Sequence, residues 1–286
     1  MRPSRTLRVS DTVSIFVTGA HGRLGSELIR IGCIPVDCDV TVLESVQEAL
    51  SNTTPEDVLI HTAAYSDVDG CESVEGTNKA LKVNMWGTEY VRQFHKGRMI
   101  LISTDYIFSG KKGPYDERPR REEPVNAYGF TKWTAEIVFQ NPIRPGDTIV
   151  RTTGLYGGPS KKNDFAQFVR DNLRLGADLD IAKDLRGNQT YVPHLADALI
   201  HLVDMSDPPR VINLASIDIV TRYEFALMIA SYFGLDKNLL HPVEKPQNWI
   251  AKRPTKGGLK VKLAERLGFP IYKISEGLQD YRLDGF

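Results

Sequence analysis

The sequence predicts an α/β fold, an open parallel sheet wound on both faces by helices. Three observations carry that expectation. Short β-branched apolar runs alternate with helical patterns through the first half of the 286-residue chain. The first of these runs, residues 14–18 (Ser-Ile-Phe-Val-Thr), feeds straight into a glycine turn and then a helix-like segment. From about Gly154 the alternation loosens, and helices mix with shorter strands.

Taken in order, residues 1–12 carry Arg2, Arg5 and Arg8 but no apolar stretch. They read as a disordered lead-in and not as a secretory signal. The turn after the first strand is Gly19-Ala20-His21-Gly22-Arg23-Leu24-Gly25, followed by a helical Ser26–Arg30. Strand, glycine turn and helix together form the context of a dinucleotide fingerprint. Glycines let the backbone approach a pyrophosphate, and the helix N-terminus faces its negative charge. The spacing is G-x-x-G-x-x-G, and taken alone it fits a plain tight turn as well. Apolar runs at 34–36, 58–61, 99–103 and 148–151 read as buried parallel strands. Helical patterns at 44–50, 77–94 and 132–139 fill the gaps. Later helices are expected at 164–175, 195–205 and 223–233, with a short strand at 210–213. No repeat or low-complexity segment interrupts them.

The chemistry concentrates in Tyr128-Gly129-Phe130-Thr131-Lys132, read with Ser103-Thr104-Asp105-Tyr106 upstream. Tyr128 and Lys132 are four residues apart, so one helix projects them from the same face. An ammonium near a phenol favours the phenolate and should draw the tyrosine pKa below its ordinary ~10. With Thr104 at a strand end, the set can polarise a ketone while a hydride arrives from a nicotinamide. An ordinary strand-end hydroxyl is the bland alternative for Thr104, and Ser103 suits that role better.

These residues carry a resemblance. Thr18–Gly25, Ala63-Ala64-Tyr65-Ser66-Asp67-Val68-Asp69, Ser103–Gly110, Tyr128–Lys132 and Arg253-Pro254 occur in the order found in the extended short-chain dehydrogenase/reductase superfamily. Within it the chain is similar to the dTDP-4-dehydrorhamnose reductases, over nearly its whole length. The resemblance implies a Rossmann-type dinucleotide-binding domain over residues 13–153. Residues 154–286 would then be mainly a smaller C-terminal substrate-binding lobe, with some segments returning to the main sheet. It implies reduction of the 4-keto group of a nucleotide-linked 4-keto-6-deoxyhexose, with Thr104, Tyr128 and Lys132 as the catalytic set. Tyr128 would be the acid, Lys132 its electrostatic aid and ribose ligand, and Thr104 a second donor to the keto oxygen. Expected cofactor contacts are Gly19, His21, Gly22, Arg23, Leu24, Gly25, Asp39, Val40, Ala63, Ala64, Tyr65 and Asn84, together with Tyr128 and Lys132. Expected substrate contacts are Val68, Thr104, Asp105, Tyr106, Gly154 and Arg253, with Phe108 also near the sugar. Arg186 and Arg253 are candidates for a diphosphate, though a solvated surface role fits either equally well.

For the cofactor, Asp37 and Asp39 lie 18 and 20 residues after Gly19, and Ile31–Leu50 holds no Lys or Arg. Carboxylates there repel a 2′-phosphate and favour NADH. Arg23 is the counter-signal, placed to reach a 2′-phosphate or only the pyrophosphate. NADPH or NADH, with dual use, is therefore expected. For Asp39, an N-cap-type role before the following helix competes with ribose contact. The chain departs from the family at Gly154, where a tryptophan is common, and at Gln189-Thr190, where Pro-Thr is usual. Loss of the tryptophan predicts a more permissive sugar pocket unless Tyr106 or Tyr156 leans in.

Composition excludes several classes. Lys+Arg and Asp+Glu both number 36, so net charge gives no case for nucleic acid or an anionic membrane as partner. The three cysteines, Cys33, Cys38 and Cys71, form no C-x-x-C pair. They read as buried thiols of a reducing, cytoplasmic compartment, with no metal site. A homodimer is left open. Two alternatives remain on the same scaffold: a UDP- or GDP-sugar epimerase/reductase, or a non-catalytic subunit similar to the regulatory β subunit of methionine adenosyltransferase.

Overall fold

The computed structural model describes residues 13–119, 123–142, 144–160, 163–247 and 249–283. The expected lead-in at 1–12 lies outside the described residues. The strands are β1 (Ile15–Thr18), β2 (Ile34–Pro35), β3 (Val58–His61), β4 (Arg98–Thr104), β5 (Thr148–Thr152), β6 (Leu179–Ala182), β7 (Arg186–Gly187), β8 (Val211–Asn213), β9 (Val220–Thr221) and β10 (Leu240–Val243). The helices are α1 (Arg23–Arg30), α2 (Leu43–Ala49), α3 (Val74–Leu81), α4 (Gly87–Phe94), α5 (Ala127–Phe139), α6 (Phe165–Arg174), α7 (Val192–Val203), α8 (Arg222–Phe233), α9 (Lys262–Arg266) and α10 (Ile274–Leu283).

Six strands form one parallel sheet in the order β2-β1-β3-β4-β5-β8. The doubly wound α/β architecture read from the sequence is therefore the one observed. The sheet has two cores because its strands alternate. Ile15, Val17, Ile60, Ile100 and Val150 pack against α1 and α7, whereas Leu59, Leu101 and Ile149 pack with Val46, Val91 and Phe139 of α2, α4 and α5. A third cluster, built on Tyr156, Phe225, Ile229, Leu278 and Tyr281, forms the core beneath α6, α8 and α10. The strand order switches sense between β1 and β3, the switch point where open α/β sheets bind ligands beyond their strand ends.

Most expected elements sit within a few residues of their predicted limits. The helix expected over 77–94 is instead broken: α3 and α4 are joined by a π-helical turn, Lys82–Trp86. Such turns insert a residue into the helical ladder and recur at functional sites. Here the turn buries Asn84 completely. The helix carrying Tyr128 begins at Ala127, five residues earlier than expected, because Asn126 caps it by accepting a bond from the Gly129 N–H at 2.7 Å.

Candidate active site

The carboxyl ends of β1, β3, β4 and β5 open onto a cleft of about 410 Å³. The glycine turn forms one wall. Gly19 has φ +69°, and a Cβ on Gly25 would lie 2.1 Å from the Gly19 carbonyl oxygen, so α1 can start this close to the turn only with glycine there. No side chain caps the first turn of α1 at Gly22, leaving a helix N-terminus suited to an anion. His21 and Gly22 are exposed, and Leu24 is buried in the core while its edge borders the cleft.

Arg23 lines the cleft, and its guanidinium is already engaged. Its guanidinium pairs with Asp164 at 3.1 Å and reaches the Gly157 carbonyl at 3.3 Å. That ties the glycine turn to the start of α6 and weighs against Arg23 as a ligand for a 2′-phosphate. Asp39 is exposed beyond β2 and accepts from the Thr41 N–H at 2.9 Å and hydroxyl at 2.7 Å, which holds its carboxyl below the usual range. This is a local turn, not the expected helix cap; the cap position of α2 is Val42. Val40 is buried against Gly87 of α4, so its side chain serves packing.

The loop after β3 lies opposite. Ala63 backs onto Gly19, whose Cβ would come within 2.6 Å of the Ala63 nitrogen. Ala64 and Val68 line the cleft. Asn84 fixes this loop: it accepts from the Tyr65 N–H at 2.8 Å, donates to the Tyr65 carbonyl at 3.1 Å and donates to Thr131 of α5 at 2.8 Å. Asn84 thus positions the loop and α5 relative to each other.

Thr104, Tyr128 and Lys132 converge on the cleft. Thr104 lies beside the Tyr128 phenol and favours its ionised form, and Tyr106 packs edge-on against Tyr128 with centroids 5.7 Å apart. The expected depression of the tyrosine pKa is not found. Burial, with Tyr106 and Asp105 adding to it, raises the phenol above its ordinary 10. The Lys132 ammonium instead donates to the Ile102 carbonyl at 2.7 Å. Burial draws Lys132 down to about 8, with Glu136 opposing. At neutral pH the phenol is therefore protonated and the lysine mostly charged. Arg151 of β5 binds Glu136 through two bonds, at 3.0 and 2.7 Å, and anchors α5 on the sheet.

Several expected substrate contacts fall differently. Asp105 is buried and accepts from the Gly258 N–H at 3.1 Å, linking the end of β4 to the C-terminal segment. Burial raises its carboxyl. Phe108 is stacked on Tyr115 at 4.1 Å within the core and borders neither the cleft nor the smaller pocket beside it. Tyr156 is likewise buried among Tyr191, Phe225 and Tyr281, so of the two tyrosines only Tyr106 borders the cleft. Arg253 pairs with Asp69 at 2.6 Å and lies over Trp249. Gly154 does border the cleft, but its φ is +60° and a Cβ would meet the Asn188 carbonyl oxygen at 2.4 Å. A tryptophan there would run into backbone instead of reaching over the sugar.

Arg222 was missed by the sequence reading. It joins Arg186, Gln189 and Asp105 around a smaller polar pocket that shares Tyr106, Thr153 and Gly154 with the main cleft. Burial lowers its pKa, Tyr106 opposes this, and its guanidinium lies 4.1 Å above the Phe165 ring. No local pattern marks it, because it opens a helix in the C-terminal half. Among the described residues no group of three or more His, Cys, Asp or Glu could hold a metal. No described helix is long and apolar enough to cross a membrane. Cys33 and Cys71 are buried and Cys38 is half-buried, all as free thiols.

The fold defines a Rossmann-type dinucleotide-binding protein whose cleft gathers a tyrosine, a lysine and a threonine. The chain belongs to the family described as the RmlD substrate binding domain, whose model matches residues 13–283. It is 31% identical over 247 residues to a dTDP-4-dehydrorhamnose reductase of Mycobacterium tuberculosis, covering 82% of this chain and 80% of the relative. It is 30% identical over 251 residues to a dTDP-4-keto-6-deoxy-D-glucose reductase of Streptomyces niveus, covering 82% and 83%. The crystal structure of dTDP-4-dehydrorhamnose reductase from Bacillus anthracis in complex with NADP superposes with a TM-score of 0.85, at 27% identity over 95% of this chain and 99% of that one.

Proposed function

We infer that the protein is an NADPH- or NADH-dependent reductase acting on the 4-keto group of a dTDP-linked 4-keto-6-deoxyhexose, in nucleotide-sugar biosynthesis of the L-rhamnose type. The observation that carries this reading is the convergence of Thr104, protonated Tyr128 and charged Lys132 on one cleft beside the glycine turn. The residues fit a dinucleotide: the uncapped start of α1 suits the pyrophosphate, and the Gly19–Ala63 contact leaves backbone in place of side chains along the cleft wall. Bound there, the nicotinamide would supply the hydride.

The chain's own groups handle the oxygen. As carbonyl carbon is reduced, negative charge grows on its oxygen and must be met by a proton. Tyr128, protonated at neutral pH, gives that proton. Thr104 donates a hydrogen bond to the same oxygen, and the Lys132 ammonium stabilises the phenolate left behind. The Arg222 and Arg186 pocket offers charge for a diphosphate. Catalytic, cofactor and substrate roles follow from the same reading, with residues 154–283 proposed as mainly the substrate lobe.

The test is stoichiometric oxidation of NADPH on mixing with a dTDP-4-keto-6-deoxyhexose, with product identified by mass and NMR. Binding of the dinucleotide without turnover on any 4-keto sugar nucleotide would instead favour a non-catalytic subunit on this scaffold.

A further inference from the structure

The reaction centre rests on a buried histidine that the chemistry above does not use. Thr18, His61 and Ser103 stand at the carboxyl ends of β1, β3 and β4. By strand alternation they share the face that carries Phe16, Leu59 and Leu101, against which Phe139 of α5 packs. His61 is 1% exposed, and its Nδ1 lies 2.7 Å from the Thr18 hydroxyl. Its Nε2 has no protein partner, and neither has the equally buried Ser103 Oγ.

The register brings these two atoms to Lys132. His61 pairs with Leu101, so Ser103 is its diagonal neighbour two residues further along β4. Such positions are roughly 8 Å apart at Cα by ordinary strand spacings, within the span of two side chains and one water. The carbonyl that Lys132 binds, Ile102, lies between Leu101 and Ser103. His61 is also within electrostatic reach of the ammonium; burial and Lys132 together hold the imidazole down to about 3, so it is neutral at all working pH. A neutral imidazole beside a cation is best oriented with Nδ1–H donating to Thr18 and the Nε2 lone pair toward the charge. Two unpaired polar atoms buried beside an ammonium form the kind of seat that a structural water fills.

We propose that His61 Nε2 and Ser103 Oγ seat one buried water against the Lys132 ammonium, making His61 a positioning residue for Lys132. The inference rests on the reading of Lys132 as part of a reductase centre. The other charged groups facing Lys132 are Glu136 on its own helix and, through Glu136, Arg151 from β5. Thr18 from β1, Ser103 from β4 and Asn84 beside α5 bring no charge.

The experiment titrates Lys132 in the full chain labelled with [ε-¹³C]lysine, without substrate, its resonance identified by loss in Lys132→Met. His61→Phe removes the acceptor and should lower the midpoint by about one unit, a roughly tenfold change in the ratio of charged to neutral lysine. Ser103→Ala should lower it by less. His61→Asn, which keeps a polar acceptor, should recover most of the shift. Melting curves report whether each variant folds; should His61→Phe fail to, Ser103→Ala and His61→Asn decide. Folded variants whose midpoints equal the wild type, or move upward, would overturn the proposal. The titration needs no turnover. Wild-type protein inactive on every 4-keto sugar nucleotide would therefore remove the reductase reading while leaving the outcome for His61 legible.

Discussion

Tyr128→Phe removes one oxygen from the reaction centre and little else. The ring keeps its edge-on contact with Tyr106, and the lost hydroxyl faces Thr104. A hydrogen bond contributes about 1 kcal/mol net, so stability should change by no more than about that. The kinetic effect is of another order. A positioned acid contributes about 10²–10⁴-fold, or roughly 3–5 kcal/mol of barrier. Because the wild-type phenol is raised above 10, the reduction should show no alkaline limb from Tyr128 near neutrality. Its alkaline limb should belong to Lys132, near pH 8 in the unliganded protein. The assay is steady-state oxidation of NADPH by a dTDP-4-keto-6-deoxyhexose across pH 6–10, about the range these groups span, beside a dinucleotide binding isotherm for each protein. Loss of about 10²–10⁴ in kcat with unchanged dinucleotide Kd is the expected result. Wild-type turnover in the Phe variant would refute the assignment of Tyr128 as the acid.

Other expectations follow from the same geometry. Thr104→Val should lower kcat by about 10²-fold, the usual effect of losing one donor to a developing oxyanion, as read by single-turnover kinetics. Arg23→Ala leaves Asp164 with its bonds from the Gly157 and Gln167 N–H groups; unfolding in urea should show a loss of about 1–3 kcal/mol. The same variant should affect NADPH and NADH alike, since Arg23 is held by Asp164, and native preference between them should stay within about tenfold, or ~1.4 kcal/mol. Gly154→Ala places a Cβ against the Asn188 carbonyl at positive φ and should cost about 1–3 kcal/mol in denaturant unfolding, so Gly154→Trp should not yield a folded protein. Lys132→Met should abolish turnover yet relieve a burial penalty. Lys132 falls from 10.5 to about 8 on folding; the unfolded chain therefore binds more protons between those values, and wild-type stability from this group rises across that window. Relative to wild type, the Met variant should be most stabilised below pH 8, with its advantage shrinking toward pH 10.5 in paired melts.

What the sequence determined by itself was local. Strand Ile15–Thr18, the glycine turn and the Tyr128–Lys132 helical spacing were legible because each is set by near neighbours: β-branched runs, glycine at a tight turn, and side chains one helical turn apart. The resemblance carried by five short motifs led to the correct family for the same reason, since each motif is a contiguous stretch. What tertiary structure decided was every feature set by partners far along the chain. Arg23 lines the cleft, but only the fold shows it tied to Asp164, 141 residues away. Gly154 borders the cleft, but only the fold shows the Asn188 backbone packed where its side chain would begin. Phe108 and Tyr156 went to the core, and Arg222 came to the site from a helix with no motif. The Tyr128 pKa shows the physical reason most clearly. Spacing alone promised a lysine beside a phenol and a lowered pKa. Burial is a property of the whole fold; it raised the phenol, while the Lys132 ammonium went to the Ile102 carbonyl, and it left the proton where a ketone reduction needs it.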